Sequence, residues 1–225
     1  MTLNELYNLT NYIIRNEIRG NPCTPEQFEL LINARQIDYF QKLYENYERT
    51  QELTDSLRTF KTIVDLTDLG SVVNDEYITL PADYFHFSTM SYIDSTTGVY
   101  YPFDMVTKDQ AIMRKISTLT APSVSYPICY EFDGSLYLEP YDDDYDLQMT
   151  YLRYPDDVVF SYGINADDEF VYYDESSSVS VTTGTELEWN EDDQLEILAL
   201  VLRDFGVSLN EMGIRQYSQI MLNEG

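Results

Sequence analysis

Apolar residues recur every three or four positions at both ends of the chain and every second position in the middle. Leu3, Leu6, Tyr7, Ile13, Ile14 and Ile18 share one helical face. Gly20, Asn21 and Pro22 end that helix. Thr24-Pro25-Glu26-Gln27 opens another, with Thr24 as N-cap, Pro25 at the first helical position and Gln27 placed to close a capping box. The second helix carries Phe28, Leu31, Ile32, Tyr39 and Leu43 on one side and is expected to run to about Tyr47. Two helices joined by so short a turn form an antiparallel hairpin.

From about Arg58 the period falls to two. Phe60, Thr62, Val64 and Leu66 alternate with polar neighbours, and Tyr77 to Leu80 is a short strand stopped by Pro81. Runs from Phe85 to Ile93 and from Val99 to Val106 flank Asp94–Gly98, a hairpin loop. Thr107-Lys108-Asp109-Gln110 is a second capping-box signature, opening a short helix to about Ile116. Asp133-Gly134 between two alternating runs predicts a two-residue hairpin, because both central positions need positive φ. The strand Leu147–Tyr154 is expected to complete a three-stranded antiparallel meander that Pro155 terminates. Residues 156–188 read as short strands between polar loops, a protruding hairpin. Asn190 then caps a helix bearing Leu195, Leu198, Val201, Leu202 and Phe205, and Ser208-Leu209-Asn210-Glu211 is a capping box for the last one.

The pattern predicts an α+β fold. N- and C-terminal helices (residues 1–57 and 189–225) form a docking layer, and residues 58–188 form an inserted antiparallel β domain, sandwich- or barrel-like. No apolar run is long enough to span a bilayer, and the first 20 residues read as a helix of the fold, not a leader.

Charge changes this picture most. Forty acidic residues against 13 basic give −27. Residues 1–61 hold nine acids and seven bases, whereas Glu139–Asp193 holds 17 acids and one base, Arg153. Binding to a nucleic-acid backbone needs clustered Lys and Arg and is disfavoured. Chemistry is sparse. His86 is the one histidine and has no nucleophile elbow beside it; no P-loop or GxGxxG is present. Cys23 and Cys129 lie outside any CxxC and read as reduced thiols. Asp142, Asp143, Asp144 and Asp146 are the best metal candidates, but the EF-hand spacing is missing and a solvated acidic turn is the simpler reading. No enzyme activity and no cofactor are expected. The 21 tyrosines exceed what a core absorbs. Tyr137, Tyr141, Tyr145, Tyr154, Tyr172 and Tyr173 are candidate interface residues, because Tyr is enriched where one end of a side chain is dry and the other wet.

The N-terminal helical hairpin, Leu80-Pro81-Ala82-Asp83-Tyr84, the Asp133-Gly134 hairpin leading into Leu138-Glu139-Pro140, Met149-Thr150-Tyr151-Leu152-Arg153-Tyr154-Pro155, and the helical tail near Arg215-Gln216-Tyr217 together resemble the head–tail connector, or portal-adaptor ring, proteins of tailed bacteriophages. The likeness is greatest to those of crAss-like phages. It covers most of the chain, though not residues 156–188. It implies a virion structural protein at the head–tail junction, assembled in the bacterial host cytoplasm. The implied partners are further copies of the chain in a twelve-fold ring, the portal protein and neighbouring ring or tail proteins, with no membrane. DNA would pass without specific binding through an acidic lumen for which Asp156, Asp157, Asp167, Asp168 and Glu169 are candidates. Two other readings remain open: an acidic DNA mimic that occupies a basic nucleic-acid-binding partner, and a Ca²⁺- or sugar-binding β module of a phage fibre.

Overall fold

The structure, a computed structural model, describes residues 1–17, 22–45, 56–65, 72–73, 77–94, 96–142, 146–164, 170–172, 184–207, 209 and 211–224. The chain divides into two compact units: Met1–Thr59 with Pro155–Gly225, and Phe60–Tyr154. The fold is α+β, with N- and C-terminal helices packed together and the β unit inserted between them in sequence.

The helical unit contains α1 (Leu3–Glu17), α2 (Pro25–Tyr44), α4 (Glu191–Asp204) and α5 (Glu211–Glu224). The capping box at Thr24 and Gln27 is formed as the sequence requires, and the Asn190 side chain accepts from the Asp193 N–H. α2 stops at Tyr44, short of Tyr47, which lies outside the described residues, as does Ser208 of the last capping box. Leu6, Leu9, Ile13, Phe28, Ile32, Phe40, Ile197, Leu198, Val201 and Leu202 fill the core. Trp189 stacks edge-on against Tyr39 and Phe40. The buried Asp193 carboxylate accepts from Tyr39 Oη at 2.7 Å and from Asn190, so its burial is compensated. Arg35 forks onto Asp204 at 2.7 and 2.9 Å, joining α2 to α4.

The expected division, with the β domain ending at residue 188, needs correcting. Pro155 onward belongs to the helical unit. The reason is a polar stripe on α2. Asn33 Nδ2 donates to Val158 O at 2.9 Å while its Oδ1 accepts from Val158 N at 2.8 Å. Gln36 donates to Asp156 O, and Glu29 accepts from Phe160 N. Side chains spaced four and three apart on one helix face thus read the backbone of every second residue of an extended segment. Phe160 then packs against Tyr7 and Phe28. A short hairpin does follow, β10 (Tyr162–Ile164) with β11 (Phe170–Tyr172).

The β unit has two sheets. One runs β1-β9-β4-β5 (Lys61–Asp65, Asp146–Arg153, Tyr84–Ile93, Tyr100–Pro102). The other runs β2-β3-β8-β7-β6 (Val72–Val73, Tyr77–Thr79, Ser135–Glu139, Ile128–Phe132, Asp104–Met105). Ile78, Cys129, Leu136 and Leu138 from the second sheet meet Met90, Tyr92, Leu147, Met149 and Tyr151 from the first in one core, the arrangement of a sandwich.

Two strand expectations change. The run Val99–Val106 is two strands, β5 and β6, one in each sheet. Phe103 between them turns into the core beside Tyr92, and β6 pairs parallel to β7. The meander is also broken. β7 and β8 form the hairpin, with Asp133 and Gly134 at φ of 53° and 69°, but β9 crosses to the other sheet. Tyr92 Oη holds that crossing by donating to Pro140 O and accepting from Asp142 N.

Both thiols are free and buried. Burial pushes Cys23 up to about 11 and Cys129 up to about 12. Neither is expected to react with Ellman's reagent in the folded protein at pH 8, and both should react in urea. Titration of released thionitrobenzoate, with and without urea, checks this.

Candidate interaction surface

The outer face of the second sheet carries an aromatic ladder. Strand alternation sends Ile78, Leu136, Leu138 and Cys129 inward, so Tyr77, Tyr137 and Tyr130 point outward. Register then sets Tyr77 opposite Tyr137 and Tyr137 opposite Tyr130. Tyr130 and Tyr137 stack with ring centroids 5.1 Å apart and planes 7° from parallel, and Tyr77 lies 5.1 Å from Tyr137 on the other side. Phe132 extends the cluster at 6.3 Å. Such cross-strand aromatic pairs stabilise a sheet by up to about 1 kcal/mol each.

A third helix of the fold, α3 (Lys108–Ile116), lies on the same outer face. Its capping box at Thr107 and Gln110 is formed. Three residues at helical spacing fix its orientation. Lys108 Nζ sits 3.3 Å over the Phe132 ring, Ala111 is buried against Ile128 and Tyr130, and Lys115 pairs with Glu139. The face toward the sheet is therefore basic with one alanine. Ile112, Met113 and Ile116 point away into solvent, with Met113 71% and Ile116 76% exposed. An ordinary surface helix does the reverse. The following turn leaves Leu119 94% exposed and Tyr126 79% exposed, while Val124 between them packs on the core. Asp109, Gln110, Met113 and Arg114 line a shallow groove on the helix.

Along the sequence, Gln110 to Tyr130 carries no carboxylate in a chain of net −27, although Asp109 lines the groove and Asp104 and Glu139 reach the cations of the helix. Lys108, Arg114 and Lys115 are the only cations between Lys61 and Arg153. Arg114 Nη1 reaches Asp104 at 2.6 Å, one of the guanidinium's five N–H donors. The capping box and spacing predict this helix but not its exposed apolar face. The missing carboxylates were the signal that could have revealed it.

The six candidate tyrosines have different places. Tyr137 is the centre of the ladder. Tyr141 is half-buried against the sandwich core, and Tyr154 is half-buried with its ring 4.8 Å from Phe85. Tyr172 ends β11; Tyr145 and Tyr173 lie outside the described residues. Among the metal candidates, Asp142 is half-buried beside Tyr92 and Asp146 is exposed at the start of β9, while Asp143 and Asp144 are not described. Among the described residues no group of three acidic, histidine or cysteine side chains is arranged to hold a metal. Asp156 and Asp157 are exposed; Asp167, Asp168 and Glu169 lie outside the described residues. Among the described residues no helix is long and apolar enough to cross a membrane.

No protein-family profile matches the chain, and no curated protein matches it.

Proposed function

We propose that the chain is a structural subunit of a multi-copy ring at the head–tail junction of a tailed phage particle, an adaptor that extends the portal channel. The observation that carries this reading is the open apolar surface on the β unit: the outward face of α3, Leu119 and Tyr126, beside the tyrosine ladder. Both units have buried cores of their own, and neighbouring exposed apolar side chains on a folded chain mark interaction sites more often than isolated ones do. Assembly is the function that uses it. A ring needs two different patches on each subunit that meet around a closed circle. The resemblance in the sequence, with helices flanking an inserted β unit, points to the same role. The acidic excess suits a channel wall, where like charge keeps DNA from adhering during packaging and ejection. The mechanism is assembly and passage, with no catalytic step.

Mass photometry of the purified protein across the micromolar range, followed by class averages of particles, tests the reading. A closed ring, expected to be twelve-fold, supports it. A monodisperse monomer both in the purified protein and in material extracted from virions overturns it.

A further inference from the structure

We infer that β1 (Lys61–Asp65) pairs antiparallel with β1 of a second copy of this chain, centred on Ile63, and joins the first sheets of the two copies into one. This contact is two-fold, whereas a ring seam joins two different patches, so it goes beyond the ring reading and stands or falls separately.

A sheet can be extended only at its edges. The first sheet has β1 at one edge and β5 at the other. β5 is blunted by its own residues. Val99 O accepts from Asp94 N and Met90 O accepts from Phe103 N, so residues 99, 101 and 103 bond to β4, and Tyr100 and Pro102 face the free side. Pro102 has no N–H to offer there. In the second sheet the edge strands β2 and β6 are two residues each. β1 has five residues and no proline, and among the described residues only β9 pairs with it. Its side chains alternate. Val64 packs on the core with Thr62 on the same side, and Lys61, Ile63 and Asp65 are exposed. Ile63 is 64% exposed, an apolar β-branched side chain between two charges.

Charge names the occupant. Lys61-Thr62-Ile63-Val64-Asp65 is its own complement when read antiparallel. Centred on Ile63, the pairing sets Lys61 opposite Asp65 of the second copy, twice over, Thr62 opposite Val64, and the two isoleucines opposite each other. Opposite charges and β-branched pairs directly across strands are stabilising. Centring on residue 61 or 65 sets Lys against Lys or Asp against Asp, and centring on residue 62 or 64 sets Ile63 against a charge. One register is therefore selected. Within its own copy Lys61 has no carboxylate partner among the described residues. Asp65 gives one oxygen to Gln148 Nε2 at 2.9 Å, a neutral donor, so no ion pair has to break. A lysine on an edge ordinarily opposes pairing with a like strand, and here Asp65 of the second copy answers it. The −27 of each copy opposes association and a five-residue edge buries little area, so the pair is weak and forms at high concentration.

The test uses the full-length chain under mild oxidation. Centring on residue 63 places that residue opposite itself, within disulfide reach. Ile63→Cys is therefore expected to give a disulfide-linked dimer at least about tenfold faster than Asp65→Cys, whose two copies would lie about 14 Å apart along the strands. Lys61→Cys and Asp65→Cys chains, mixed, should link to each other. Cys23 and Cys129 are buried, so the introduced thiol is the one that reacts. Sedimentation equilibrium gives a second readout. Lys61→Glu is expected to weaken the pair about tenfold, and Lys61→Glu with Asp65→Lys in the same chain to restore it. All three positions are exposed, and an unchanged circular-dichroism melt checks that each variant folds. If Ile63→Cys links no faster than Asp65→Cys, or the double reversal fails to recover what the single one loses, the β1 pairing is wrong. Rings that form without preferred linking at position 63 overturn this inference alone. Preferred linking in a chain that forms no ring overturns the ring reading alone.

Discussion

Replacing Asn33 and Gln36 together by alanine is expected to destabilise the helical unit by about 3 kcal/mol. Asn33 satisfies both backbone groups of Val158, at 2.8 and 2.9 Å, and Gln36 donates to Asp156 O at 3.0 Å. Each hydrogen bond to a buried backbone group contributes roughly 1 kcal/mol, and leaving such a group unmet costs about 1–3 kcal/mol. Val158 is buried, so water cannot readily replace the lost amide. Urea unfolding followed by tryptophan fluorescence is the measurement. Trp189 is the one tryptophan and is packed on Tyr39 and Phe40, so its signal reports the helical unit. Asn33→Leu separates volume from hydrogen bonding, since it restores bulk without donors or acceptors. Its loss should be no smaller than that of Asn33→Ala. A stability within a few tenths of a kcal/mol of the unaltered chain would mean that Phe160, set against Tyr7 and Phe28, holds the segment by itself.

This segment also marks the limit of what the sequence could reveal. Capping at Thr24, Thr107 and Asn190 was legible because a cap is chemistry between residues three apart. The Asp133-Gly134 turn was legible because few residue pairs tolerate its backbone. The helical frame followed from periodicity summed over many residues. Pro155–Phe160 was misplaced because it is held by Glu29, Asn33 and Gln36, more than 100 residues earlier, through backbone groups that have no sequence signature. The partition of strands failed for a related reason. Alternation in β9 says which side chains are buried and not which strand they lie beside, so its pairing with β1 and β4 was hidden. At the candidate surface, Tyr137 was legible as an amphipathic residue in an alternating strand. The face of α3 was not, because spacing in so short a helix does not say which side meets the sheet, and Lys108, Ala111 and Lys115 take that side.

Tyr92→Ala should be the most damaging single substitution in the β unit, at about 4 kcal/mol, and Tyr92→Phe should cost about 1–2 kcal/mol. The ring is fully buried against Phe103, with centroids 4.7 Å apart, and belongs to the core shared by both sheets. Truncation to alanine therefore removes packing on both sides of the sandwich and leaves a cavity. The hydroxyl has a separate task. It donates to Pro140 O at 2.5 Å and accepts from Asp142 N at 2.9 Å, which carries the chain from β8 in one sheet toward β9 in the other. Burial pushes this phenol well above its ordinary range, so it remains a neutral donor at every pH where the fold is studied. The phenylalanine variant keeps the ring and deletes only the tether. It should lower the urea midpoint modestly in the tyrosine near-ultraviolet circular dichroism and speed hydrogen exchange at the Asp142 amide. Equal stability of Tyr92→Phe and the unaltered chain would show that packing of the ring alone sets the crossing. A loss as large as that of Tyr92→Ala would assign the whole effect to the hydroxyl.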